Sequence, residues 1–153
     1  MGEYTTTDIR NVVLVGHAGS GKTSLAEALL HKAGAITSAG RVDKGSTTND
    51  FDVLEKKHQH SLEASIGAFH YDKHQINLID TPGAPDFIGV TLGVLSAVET
   101  VVVVVNAASG VEGTTRRMME WAKIANRCRM VVVNKVDIPE TDLAGVYDEI
   151  RDA

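Results

Sequence analysis

The chain has 153 residues, 43% of them hydrophobic, and 20 acidic against 15 basic residues give a formal net charge of −5. That is one domain's worth of chain, long enough to bury a sizeable core and too apolar for a disordered segment. The acidic balance excludes a broad nucleic-acid-binding face, the single cysteine excludes an internal disulfide and fits a reducing cytosol, and the longest apolar run, Val101 to Val105, is far too short to span a bilayer.

The N-terminal residues show no basic-then-apolar signal pattern, so a cytoplasmic location is expected. Asn11 to Val15 reads as a short apolar strand, and Lys22 to Ala33 as a helix with Leu25, Leu29 and Leu30 on one side. From Gly34 to His60 the period is lost and Gly, Ser, Thr and Asp cluster, the mark of a functional or mobile loop. Leu62, Ala64, Ile66 and Ala68 then alternate with Glu63, Ser65 and Gly67, as a half-buried strand should. Asp72-Lys73 offers a turn into His74 to Ile79, which predicts a hairpin.

Phe87, Val90, Val94, Leu95 and Val98 keep a helical stripe. Thr100 to Val105 is almost pure valine, and β-branching on both faces predicts a buried central strand. Met118, Trp121, Ala122 and Ala125 mark the next helix and Met130 to Val133 the next strand. Leu143, Val146, Tyr147 and Ile150 give a last helix its apolar face. Strands alternating with helices predict an α/β fold, a doubly wound and mostly parallel sheet with one antiparallel edge hairpin. Trp121 is expected in the core, Arg116 and Arg117 on a solvated helix face, and Cys128 as a small buried or semi-buried residue.

Three segments carry chemistry, each at the end of an apolar run. The first is Gly16-His17-Ala18-Gly19-Ser20-Gly21-Lys22-Thr23, followed by Ser24, between a strand and a helix. Glycines let the backbone curl around phosphates and aim its N–H groups at them, and the helix N-terminus adds partial positive charge. Lys22 is placed to reach the β- and γ-phosphates and the Thr23 hydroxyl to ligate Mg²⁺. The fold expected is therefore a P-loop NTPase. The second segment is Asp80-Thr81-Pro82-Gly83. Its carboxylate ends a strand where it can approach Mg²⁺, and Gly83 lets a backbone N–H come close to the γ-phosphate.

The third segment, Asn134-Lys135-Val136-Asp137, reads the base. The two acceptor oxygens of Asp137 match the adjacent N1–H and amine donors of guanine. Adenine presents an acceptor there and would leave a charge unpaired. Asn134 braces the loop and bonds the purine edge, and Lys135 lies along the base. An ATP-dependent reading is disfavoured by Asp137. The last helix is where the chain stops, so residues 1–153 are expected to be the N-terminal portion of a single GTP-binding domain whose later elements, at least one strand and one helix, are missing.

With these residues in place, the chain resembles the translational GTPases, and elongation factor G in particular. The resemblance also rests on Val15-Gly-His17, Gly45-Ser-Thr-Thr-Asn-Asp50, Glu55-Lys-Lys-His-Gln-His-Ser61 and Asp80-Thr-Pro-Gly-Ala-Pro-Asp86-Phe87, and runs from about Ile9 to Ile138. It implies GTP and GDP binding with Mg²⁺, GTP hydrolysis, and the ribosome as partner. It also makes Gly34 to Ser61 a nucleotide-sensing switch, with Ser61 in the place of the threonine that ligates Mg²⁺ and senses the γ-phosphate.

Four departures stand out. Ser61 keeps that hydroxyl and loses a methyl. His58, Gln59 and His60 replace an Arg, a Gly and an Ile, and the two histidines are read as a solvated switch loop rather than a metal pair. Gly19 replaces an aspartate associated with a monovalent cation. Ala84 stands where the family has the histidine that orients the attacking water. The binding residues survive while Lys22, Gly83 and Ser61 are left as the catalytic set, so slow unaided hydrolysis is expected. A nucleotide-dependent switch, or a ribosomal protection factor sharing this domain, is the competing reading.

Overall fold

The computed structural model describes residues 4–40, 47 and 63–153. Leu62 and the switch residues His58, Gln59, His60 and Ser61 lie outside the described residues. Among the described residues five strands form one sheet: β1 (Ile9–Val15), β2 (Ser65–Tyr71), β3 (His74–Asp80), β4 (Thr100–Asn106) and β5 (Cys128–Asn134), in the order β2-β3-β1-β4-β5. β1 runs parallel to β3 and β4, and β4 parallel to β5, while β2 is antiparallel to β3 at the edge. The expected mostly parallel sheet with one antiparallel edge hairpin is therefore what forms. Asp72, at φ 52, supplies the left-handed residue of its turn.

Four described helices flank the sheet: α1 (Lys22–Lys32), α2 (Ile88–Leu95, entered through a 3₁₀ turn at Pro85–Phe87), α3 (Gly113–Ile124) and α4 (Leu143–Asp152). Leu25 and Ala26 of α1 pack with Val12, Leu14, Leu78, Phe69, Val102, Val104 and Val132 on one face. Leu95, Met118, Met119, Ala122 and Val146 of the other three helices pack with Val13, Val15, Ile79, Val101, Val103 and Val105 on the second face. β4 is thus covered on both sides, which is why its run of valines carries no polar alternation.

Several faces differ from the sequence expectation. In β2 it is Gly67 and Phe69 that turn inward, while Ile66 is 70% exposed. The cause is proximity: a Cβ on Gly67 would come within 2.9 Å of Leu30 Cδ1, so α1 sits on the sheet where this strand has no side chain. Leu29 and Val90 point outward, and α2 buries Thr91 and Leu95 instead. α4 buries only Val146 fully, with Ile150 partly buried and Leu143 and Tyr147 exposed. Cys128 is exposed, because it opens β5, the outermost strand among the described residues on that side, whose first three residues all lie in solvent. Trp121 is partly buried against the core, and Arg116 and Arg117 are exposed as expected.

Candidate functional site

The first loop leaves β1 at Val15 and enters α1 at Lys22. It sits where the connections of the neighbouring strands β1 and β4 diverge to opposite sides, the crevice at which open α/β sheets bind ligands. Two glycines are required by what surrounds them. Gly16 has φ +139, and a Cβ there would meet Val104 O of β4; Gly21 has φ +95, and a Cβ there would meet the Asn134 side-chain amide. Gly19 also has a left-handed φ of +79, but faces open space. Ser20 N–H donates to His17 O at 3.2 Å, closing the turn.

Lys22 is only 6% exposed although it is the first residue of a helix. Its Nζ donates to Gly16 O at 3.1 Å and His17 O at 3.0 Å, so it lies back across the loop it follows. Burial holds its pKa below the ordinary lysine value, and the Asp80 carboxylate opposes that shift. Asp80 is the last residue of β3, 2% exposed, and its Oδ2 accepts from Thr23 Oγ1 at 2.6 Å. A hydroxyl and a carboxylate oxygen are thus side by side at a sheet end, the hard-oxygen donor set that suits Mg²⁺.

The second loop is held against the first. Thr81 Oγ1, fully buried, donates to Leu14 O of β1 at 2.7 Å. A Cβ on Gly83 would meet Lys22 Nζ, and would lie 2.6 Å from Ala18 N and 2.8 Å from Ala18 Cα. Only a residue without a side chain lets these two backbones approach so closely. Ala84 is half-buried, and its carbonyl accepts from Phe87 N–H at 3.1 Å to start the 3₁₀ turn.

The third loop joins through Asn134, whose Nδ2 donates to Ser20 O at 2.9 Å and whose carbonyl accepts from Ala107 N–H at 2.9 Å. Lys135 adopts a left-handed φ of 60, and Asp137 is exposed. Gly16 to Thr23, Asp80, Gly83 and Asn134 are therefore brought together by direct contacts. Ser24 is exposed on α1, Lys135 and Asp137 extend from the same rim, and Ser61 lies outside the described residues.

Sequence reasoning missed three residues that shape this site. Thr81 was hidden as an ordinary member of its turn. Glu112 and Thr115, at the start of α3, lie far along the chain: His17 N–H donates to Thr115 Oγ1 at 3.3 Å, and His17 Nδ1 lies 2.9 Å from Glu112 Oε2. The second contact is short without being aligned as a hydrogen bond, so it acts chiefly as a charge beside the ring. No periodicity or motif signals such a pair.

A family model described as the elongation factor Tu GTP binding domain matches residues 7–153. Curated relatives include the oxytetracycline resistance protein of Streptomyces rimosus, 39% identical over 142 residues, covering 93% of this chain and 21% of that protein. The tetracycline resistance protein TetM of Ureaplasma urealyticum is 33% identical over 144 residues, covering 94% and 22%. The chain thus spans about a fifth of the length of these relatives. A solved structure from Thermus thermophilus superposes with a TM-score of 0.89 at 40% identity, covering 94% of this chain and 22% of that one. Translation elongation factor SelB of Methanococcus maripaludis, in complex with the GTP analogue GppNHp, shares the fold at a TM-score of 0.68 and 20% identity, covering 94% and 26%. Among the described residues no helix is long and apolar enough to cross a membrane.

Proposed function

The chain belongs to the elongation factor Tu GTP-binding domain family, and on that premise we propose that it is the guanine-nucleotide-binding part of an elongation factor G-like GTPase that acts in the cytoplasm on the ribosome. The observation that carries this reading is the convergence of three loops on one sheet end, with Asn134 tied to Ser20 and Gly83 packed on Ala18 and Lys22. Gly16 to Lys22 cradle the phosphates through backbone N–H groups, and Thr23 at the start of α1 contributes a hydroxyl. Thr23 and Asp80 would hold Mg²⁺, with Ser61 the hydroxyl the switch would add, and the ion would supply charge neutralisation for the phosphates. Asn134, Lys135 and Asp137 select guanine.

Lys22 and the Gly83 N–H stabilise charge on the terminal phosphate, and Ser61 reports its presence. At position 84 the chain offers no side chain able to donate, accept or orient a water, so unaided hydrolysis is slow and the ribosome accelerates it. The relatives named for tetracycline resistance support one variant of this reading, in which nucleotide-driven switching matters more than turnover and the protein protects the ribosome. A ribosome-stimulated single-turnover rate separates the two.

The direct test is binding of fluorescent GDP and GTP by the intact protein, with ATP competition, beside Asp137→Asn. The wild-type protein should hold GDP and ignore ATP. The variant should lose at least about tenfold in GDP affinity, since one exocyclic donor loses its charged acceptor. Unchanged guanine preference in Asp137→Asn would sink the base-reading assignment.

A further inference from the structure

The phosphate loop is held by more than its own turn. Its second residue, His17, is gripped twice from outside by the start of α3: the buried hydroxyl of Thr115 accepts from its backbone N–H at 3.3 Å, and the Glu112 carboxylate sits 2.9 Å from its ring Nδ1. Both partners start from the same helix end. Thr115 is 1% exposed within the first turn of α3, and Glu112 stands at the N-cap position of that helix, its carboxylate making no capping bond and so left to face His17. α3 in turn packs Met118, Met119 and Ala122 into the core beneath β4. The loop also has reason to need an outside grip, because three of its six residues before Lys22 are glycines with left-handed backbone, which constrain a chain little by themselves. Neither Glu112 nor Thr115 belongs to any of the three nucleotide segments.

We propose that Glu112 and Thr115 are positioning residues for the phosphate loop, acting through His17, and that they set how fast a bound nucleotide leaves. The proposal rests on the reading of this loop as a nucleotide site. A loop that loosens before release must break its contacts with α3, so weakening those contacts raises the dissociation rate and leaves the encounter rate alone. His17, half-exposed, shares its charge contact with solvent, which keeps the expected effect modest.

In the intact protein, release of fluorescent GDP chased with unlabelled GDP should be about three- to tenfold faster in Glu112→Ala than in wild type. Glu112→Gln should fall between them, and Thr115→Val should be fast where Thr115→Ser is restored. Association rates should not change. Glu112→Ala in a His17→Ala background should add nothing, since the carboxylate acts through that ring. Release at the wild-type rate in both Glu112→Ala and Thr115→Val overturns the proposal.

A second measurement needs no nucleotide. Amide hydrogen exchange at His17, Ala18 and Gly19 should quicken in Glu112→Ala while the strand amides of β4 keep their protection. Equal protection in variant and wild type overturns the proposal even if the protein binds no guanine nucleotide. A wild-type protein that captures no nucleotide refutes the GTP reading instead, and the exchange result then decides this one.

Discussion

Replacing Gly21 by alanine separates backbone strain from loop-to-loop contact. Gly19 and Gly21 both hold left-handed φ, +79 and +95, but the first faces open space and the second faces the Asn134 amide. A non-glycine residue in that conformation costs about 1–2 kcal/mol, which should be the whole penalty of Gly19→Ala. Gly21→Ala adds a Cβ where the Asn134 amide sits. That amide is the far end of a side chain and can turn away, at the expense of its 2.9 Å bond to Ser20 O. Loss of that bond costs about 0.5–1.5 kcal/mol, so Gly21→Ala should cost about 1.5–3.5 kcal/mol in all. Equilibrium urea unfolding of the nucleotide-free protein reads both numbers. In an Asn134→Ala background the excess of Gly21→Ala over Gly19→Ala should vanish, because there is no amide left to displace. Equal penalties for the two single variants, or an excess that survives without Asn134, would refute the reasoning.

Gly67→Val should destabilise the nucleotide-free protein by about 1–3 kcal/mol through overpacking against Leu30, and Leu30→Ala in the same chain should recover part of it; denaturant midpoints of the four proteins check this. Lys22 gives a pH signature. Its folded-state pKa is depressed by burial against the opposing pull of Asp80, so between that value and the ordinary 10.5 the unfolded chain binds the extra proton, and stability should rise with pH across that window. The rise should be absent in Lys22→Met; an identical alkaline profile in the two proteins contradicts the burial account. Ala84→His should raise ribosome-stimulated single-turnover GTP hydrolysis by roughly 10²-fold without altering GDP affinity, the size expected of a well-placed acid–base or water-orienting group. An unmoved rate would place the hydrolytic shortfall elsewhere.

What could be read from the sequence was whatever local chemistry dictates. The three loops announce themselves because Gly, Lys, Thr, Asp and Asn are required there at short fixed spacings, and the valine run of β4 shows burial on both faces without any partner being known. The outward turn of Ile66 could not be read, because it depends on α1 lying directly over Gly67. Strict alternation assigns two faces but not which of them meets the core. Leu143 and Tyr147 mislead in the same way: the helix they predict forms and buries Val146, yet these two side chains stay in solvent. The grip on His17 was invisible for a different reason, since Glu112 and Thr115 reach it only through the folding of α3 against β4. Long-range contacts between unremarkable residues leave no local trace.

The strand order has a kinetic consequence. β1 pairs with β3 and β4, never with β2, so each of its ladders closes a long loop of chain before any of its hydrogen bonds can form. Such non-local pairings place the domain among slow folders. The three loops hang from β1, β3 and β5, and β5 reaches β1 only through β4. A ligand held by all three therefore meets its full set of contacts only when β5 has docked. It can do little to hasten folding, and acts by slowing escape once the three loops have met. Occupancy becomes a count of completed strands, and an early chain end or a misplaced β5 would show as lost binding before it showed as lost structure.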